Sequence, residues 1–269
     1  MITSTSNDKI KYMEKLRKSA SFRHEEGLFP VEGIRMIKEI PGERVVKLYY
    51  TEKAYERYRE EIDSININTG FEDDRLVSES CMKKMCDTEN PQGIISAVRM
   101  DECAFEDIIS GEGADKKTAP LILVLEKLQD PGNLGTIIRT SEAAGVTGIM
   151  ISNDSADIYN PKVIRSTMGA IFRMKIYVSP DLPEDVTKLK ASDITVYSMH
   201  LNGEQFYEKD FTKGTAFLIG NEGNGLSPEA GREADDMIRI PMMGKVESLN
   251  AAISASVVSY EVLRQRIKK

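Results

Sequence analysis

From Pro120 onward, short apolar runs recur between helical stretches, and this alternation restricts the fold more than any other feature of the chain. The runs are Leu121 to Leu125, Gly148 to Ile151, Met174 to Val178, Ile194 to Tyr197, Ala216 to Ile219 and Met237 to Ile240. They are β-branched and leucine-rich with few polar interruptions, so strands made of them need cover on both faces. The sequence therefore predicts an α/β fold whose C-terminal part is a mostly parallel sheet buried by helices. In such sheets ligands bind beyond the carboxyl ends of the strands, which is where the polar turns of this chain fall.

The preceding hundred residues alternate as well. A helix from Ser6 turns Ile10, Met13 and Leu16 inward, and strands are expected at Leu28 to Val31, Val45 to Tyr50, Arg75 to Val77 and Gly93 to Val98. Helices are expected at Gly33 to Ile40, around Ala54 to Ile62, and through Met82 and Met85. Residues 99–118 are charged and contain Gly111 and Gly113, a linker composition. The expected organisation is a small α/β domain over 1–98, a linker over 99–118, and the sheet domain over 119–269.

A net charge of -7 does not announce a nucleic-acid binder, yet the first 24 residues hold Lys9, Lys11, Lys15, Arg17, Lys18 and Arg23 against Asp8 and Glu14. That cluster is either a solvated helix face or a phosphate-contacting one. Cys81, Cys86 and Cys103 form no C-x-x-C pair, so neither a disulfide framework nor a metal site is expected. No apolar run reaches the ~20 residues that span a bilayer, and the N-terminus lacks a signal-peptide centre; a soluble, cytoplasmic protein is expected.

Three turns carry chemistry. After the first sheet-domain strand, Asp130-Pro131-Gly132-Asn133 opens a helix containing Arg139, with Asn133 suited to the N-cap. The Arg139 guanidinium needs an anionic partner, either a structural carboxylate or a ligand. After the fifth strand, Gly220-Asn221-Glu222-Gly223-Asn224-Gly225 lets backbone approach a ligand, but its glycine order matches neither a dinucleotide fingerprint nor a P-loop. After the sixth, Ser248-Leu249-Asn250 opens a long helix with Leu249, Ala252, Ile253, Ser256, Val257, Tyr260 and Leu263 on one stripe. Ser248 there is either a helix cap or a ligand contact. The helix Asn160 to Phe172, with Arg165, either faces this site or only packs closely.

Taken in order, Asp130 to Thr140, Ile219 to Ser227 and Ile240 to Asn250 resemble the motifs of the SPOUT class of RNA methyltransferases, and specifically the TrmH (SpoU) family of RNA 2'-O-ribose methyltransferases. The first hundred residues resemble a ribosomal-protein-like RNA-binding domain through Phe29-Pro-Val-Glu-Gly33 and Asn90-Pro-Gln-Gly93. The resemblance implies a trefoil knot, S-adenosylmethionine as cofactor, a homodimer, and RNA as substrate, with ribosomal RNA favoured over transfer RNA. It also implies cofactor contacts at Gly220, Ile240 and Leu249, with Met199 and Leu201 nearby. Arg139, Asn133, Glu222, Ser248 and Asn250 are the implied catalytic set. Arg139 would act as a base or as a phosphate clamp, and Glu222 would join the site or brace backbone. A non-catalytic ribosome-assembly factor with the same fold is the competing expectation.

Overall fold

The computed structural model describes residues 1–69, 75–110, 118–221 and 223–267. Contacts divide the chain into two compact units: Met1–Asp101 with Asp157–Phe172, and Glu102–Ala156 with Arg173–Lys269.

In the first unit, α1 (Asp8–Lys18) and α2 (Ala20–Glu26) lead to β1 (Leu28–Glu32) and the short α3 (Ile34–Ile37). Next come β2 (Val45–Tyr50), α4 (Glu52–Arg57), α5 (Arg59–Thr69), α6 (Glu79–Met85) and β3 (Ile94–Arg99). The sheet order is β1-β3-β2, both pairings antiparallel. Ile10, Met13 and Leu16 turn inward onto Met82, Met85 and Ile95, as their helical spacing predicts. One helix was expected around Ala54 to Ile62; two form, separated at Tyr58. Leu76 and Val77 make only isolated bridges, to Tyr50 and Ile2, because their neighbours offer no continuous ladder.

The basic N-terminal cluster is largely spent inside this unit. Lys18 pairs with Glu14 at 2.6 Å, Arg17 approaches Asp87 at 3.6 Å, and Lys11 approaches Asp8 at 3.5 Å. Arg23 is buried, at 2% exposure, with its guanidinium on Asp157 and on the carbonyls of Leu16 and Arg17. Asp157 belongs to the second segment of the unit, which also contains α9 (Pro161–Thr167). Arg165 in α9 pairs with Asp87 at 2.7 Å. Of the two alternatives for Asn160 to Phe172, facing the sheet-domain site or only packing closely, the second holds, and the stretch packs within the first unit.

The second unit begins inside the expected linker. Residues Phe105–Ile109 form α7 and bury Ile108 against the core; residues 111–117 lie outside the described ones. The unit continues through β4 (Leu121–Leu125), α8 (Pro131–Ala144), β5 (Gly148–Ser152), β6 (Ile176–Ser179), α10 (Leu182–Ala191) and β7 (Thr195–Gln205). It ends with β8 (Thr215–Ile219), α11 (Pro228–Arg232), β9 (Asp236–Arg239) and α12 (Ala251–Ile267). All pairings are parallel, in the order β6-β5-β4-β8-β7-β9. Every residue of β4, β5 and β8 is buried, whereas β6 and β9 at the edges are partly exposed, as two-faced burial of a central parallel strand requires.

Two features of the last helix differ from expectation. α12 packs along α8 and buries Ala251, Ala252, Ala255, Val258, Ser259 and Val262, while Ile253 and Tyr260 of the expected stripe remain half exposed. Alanine and serine let two helices approach closely but carry little apolar signal, so the larger side chains misdirect the periodicity. Basic residues such as Arg264 and Arg266 at the end of a helix are expected to face solvent, but Arg266 turns inward. Its guanidinium donates to the carbonyls of Phe211, Ala119, Pro120 and Lys213, at 2.5 to 3.1 Å.

Candidate active site

Three loops converge at the carboxyl ends of β7, β8 and β9. They enclose an open pocket of about 440 Å³, within the usual range for small-molecule sites. Each loop is shaped by a local rule. β7 breaks its register with β9 between Met199 and Glu204, so the chain bulges outward over His200 to Gly203. Gly203 permits this because a Cβ there would lie 2.6 Å from the backbone of Ile238.

After β8 the chain doubles back on itself. Asn221 and Gly225 exchange backbone hydrogen bonds at 2.9 and 3.0 Å, and the Asn221 Oδ1 accepts from Gly223 and Asn224. A Cβ on Gly220 would meet the Gly225 carbonyl carbon at 2.2 Å, so only glycine fits. The loop is laced to the end of β4. Asn221 Nδ2 donates to the Lys127 carbonyl at 2.8 Å, and the Ser227 amide donates to Glu126 Oε2 at 2.8 Å. Glu126 is 5% exposed. The sequence assigns no individual role to Glu126 or Asn221; the available signal for Glu126 is a carboxylate directly following the all-apolar run Leu121 to Leu125.

The third loop runs from β9 through Met242 to the start of α12, and Ile240, Ser248 and Leu249 line the pocket. Asn250, rather than Ser248, caps the helix: its Oδ1 accepts from Ala252 at 2.9 Å and Ile253 at 3.3 Å. In the same way, Asp130 caps α8 by accepting from the Asn133 amide at 2.8 Å, which displaces Asn133 from the cap to the first turn. The Asn133 side chain is thereby available to accept from Asn250 Nδ2 at 3.0 Å.

All five expected cofactor contacts, Gly220, Ile240, Leu249, Met199 and Leu201, line this one pocket. Ser248 lines it too, and Asn250 and Asn133 stand at its side, joined to each other. Arg139 is exposed on α8 and makes no ion pair or hydrogen bond among the described residues. Glu222 lies outside the described residues. His200 also lines the pocket and accepts from the Asn202 amide at 3.2 Å through Nδ1.

The lining fits a nucleoside-sized cofactor such as S-adenosylmethionine. Apolar side chains from Met199, Leu201, Ile219, Ile238, Ile240 and Leu249 offer cover for a flat base, and the Gly220 turn leaves backbone groups open to a ligand. Among the described residues no group of three or more potential metal-binding side chains occurs, and no helix is long and apolar enough to cross a membrane.

Residues 120–260 match the SpoU rRNA Methylase family, and residues 7–96 match the MRM3-like substrate binding domain. The chain is 31% identical, over 97% of its length and 98% of the relative's, to 23S rRNA (guanosine(2553)-2'-O)-methyltransferase RlmP of Bacillus subtilis (strain 168). Among solved structures it resembles the AdoMet-bound rRNA methyltransferase from Sinorhizobium meliloti, with a TM-score of 0.83 and 28% identity, covering 98% of this chain and 97% of that one. It also resembles the SpoU methyltransferase AviRb from Streptomyces viridochromogenes in complex with AdoMet, with a TM-score of 0.82 and 27% identity, covering 98% and 100%. A pocket lined by the second and third motifs, the Asn133–Asn250 bond that ties the first motif to them, and a match over more than half of the chain lead to one conclusion: the chain belongs to the SpoU rRNA methylase family.

Proposed function

We propose that the chain is an S-adenosylmethionine-dependent methyltransferase that modifies a ribose 2'-hydroxyl in ribosomal RNA, with the first unit holding the RNA. The observation that carries this reading is the meeting of all three motifs: Gly220, Ser248 and Leu249 line the pocket, and Asn250 is bonded to Asn133 of the first motif. The relative RlmP, named for 23S ribosomal RNA, aligns over nearly the whole chain and favours a ribosomal substrate over a transfer RNA.

When bound, S-adenosylmethionine supplies a methyl group on a positively charged sulfur to an oxygen nucleophile. Gly220, Ile240, Leu249, Met199 and Leu201 hold it through apolar contact and backbone groups. A ribose hydroxyl is a poor nucleophile until its proton is taken or shared, so the protein must fix the ribose and give the proton an acceptor. Arg139 is not that acceptor, because a guanidinium deprotonates only above pH ~12. Its guanidinium, exposed and without an ion pair among the described residues, instead grips the phosphate beside the target ribose, and that phosphate would relay the proton. Asn133, Ser248 and Asn250 orient the sugar. Glu222 belongs to this set by resemblance alone.

The same reading includes a homodimer and a trefoil knot. Ile253, Tyr260 and Ile267 leave an apolar face on α12 that a second copy would cover. The reading also includes a cytoplasmic location. Binding through phosphate contacts weakens steeply as salt rises.

The test is transfer of labelled methyl from S-adenosylmethionine to total RNA from cells lacking this gene, fractionated into ribosomal and transfer RNA. Label in ribosomal RNA, resistant to alkali at one linkage, is the expected result. Label in transfer RNA alone would move the substrate class. Cofactor binding without transfer to any RNA or pre-ribosomal particle would favour a non-catalytic assembly factor.

A further inference from the structure

The pocket is lined mainly by apolar side chains, glycines and small polar groups. Among its described lining residues Arg239 is the one arginine or lysine and Glu247 the one acidic residue. They sit at opposite ends of the third loop, Arg239 closing β9 and Glu247 immediately before Ser248. Both are exposed, and neither makes an ion pair or a side-chain hydrogen bond among the described residues. Several other charged groups of the same unit are paired. Arg264 is held by Glu261, Lys209 by Glu204 and Asp236, and Lys188 by Glu184 and Asp185. One cation and one anion are thus presented to a pocket without being used by the fold.

The chemistry of the ligand supplies a partner for each. S-adenosylmethionine ends in an amino acid, a zwitterion with a carboxylate and an ammonium. An apolar cleft suited to the nucleoside has nothing else in its described lining with which to pair those charges. A guanidinium presents a planar fork of donors that matches a carboxylate, and a glutamate accepts from an ammonium.

We infer that Arg239 and Glu247 form a subsite for the amino-acid tail of the cofactor, Arg239 receiving the carboxylate and Glu247 the ammonium. They determine which nucleoside thioethers are accepted, while the backbone of the glycine loop receives the nucleoside itself. The inference rests on the proposed use of S-adenosylmethionine and adds to it a division of the pocket by chemical role.

Calorimetric titration of the full chain with two probes separates the two parts of the ligand. S-adenosylhomocysteine carries the tail, whereas 5'-methylthioadenosine has the same nucleoside thioether without it. Wild-type protein is expected to bind S-adenosylhomocysteine more tightly. Arg239→Gln and Glu247→Gln should each weaken S-adenosylhomocysteine about tenfold, in line with loss of a charge-assisted hydrogen bond, and leave 5'-methylthioadenosine unchanged. Arg239→Lys, which keeps the charge and loses the fork, should fall between. Equal losses for both probes, or no loss for either in variants with unchanged melting temperature, would overturn the subsite while leaving cofactor use intact. Failure of the wild-type protein to bind S-adenosylhomocysteine at all would instead remove the proposed function, and this inference with it.

Discussion

Asn250 donates from Nδ2 to Oδ1 of Asn133 at 3.0 Å, joining residues 117 positions apart in the chain. The same asparagine caps α12 through its Oδ1. One side chain thus sets the start of the last helix and ties it to the first turn of α8.

The two roles can be separated. Asn250→Ala should destabilise the protein by about 1–2 kcal/mol in urea unfolding, from loss of the cap and of a hydrogen bond. Asn250→Ser keeps a capping oxygen but is too short to reach Asn133. It should retain most of the stability and still lose methyl transfer, so retained transfer would reduce the bond to a structural one.

Gly220→Ala places a methyl group 2.2 Å from the Gly225 carbonyl carbon and 2.3 Å from the Leu226 nitrogen. Both neighbours are backbone, so the loop must open. Affinity for S-adenosylhomocysteine in calorimetry should fall by more than tenfold, with a stability loss of about 1–3 kcal/mol.

Arg139 makes no described contact, so Arg139→Ala should change stability by less than about 0.5 kcal/mol. Cofactor affinity should be unchanged and methyl transfer should fall by ~100-fold or more, the usual cost of removing a donor that acts on developing charge. Parallel loss of cofactor affinity would show that the residue shapes the pocket instead.

In the first unit, Arg23 is 2% exposed and reaches Asp157 through Nε at 3.0 Å. Removing it leaves a carboxylate and the Leu16 and Arg17 carbonyls short of a partner, at a cost of about 3–5 kcal/mol. A double-mutant cycle with Asp157→Asn, read by urea unfolding, should show strong coupling; additive losses would deny that the pair holds 157–172 to the unit.

Acid sensitivity should appear in the second unit. Lys209 donates to Asp236 and holds its carboxyl below the ordinary 3.8, outweighing the upward push of burial, with a further bond from the Met237 amide. Burial pushes Asp185 upward, but bonds from Ser179, Lys188 and Tyr177 together bring it below the same value. A carboxyl whose folded pKa is depressed contributes stability above its unfolded pKa and loses it as pH falls through the folded one. Stability should therefore be level near neutrality and decline below about pH 4. Asp236→Asn should flatten part of that decline; an unchanged acid profile would count against the assignment.

The sheet strands were legible because each is a short run of large apolar residues whose period has only one packing solution; Leu121 to Leu125 and Val45 to Tyr50 form as expected. The pocket residues were legible because Gly220, Ser248 and Leu249 lie in turns whose glycines and polar side chains have few uses other than close backbone approach. The buried face of α12 was not, since Ala251, Ala252 and Ala255 are too small to outvote Ile253 and Tyr260. Nor was the membership of Asp157–Phe172 in the first unit, which depends on Arg23 finding a carboxylate 134 residues away.

Local order alone determined the central strands of the second sheet and their parallel character, because burial on both faces leaves a chain of such runs no alternative. Only the tertiary structure decided what the polar residues do. Whether Asn133 caps a helix or accepts from Asn250, whether Arg23 and Arg266 meet solvent or carbonyls, and whether Arg239 faces a partner or a pocket are fixed by which distant groups arrive beside them. A hydrogen bond acts over about 3 Å and carries no period along the chain, so no pattern in the sequence records it before the fold closes.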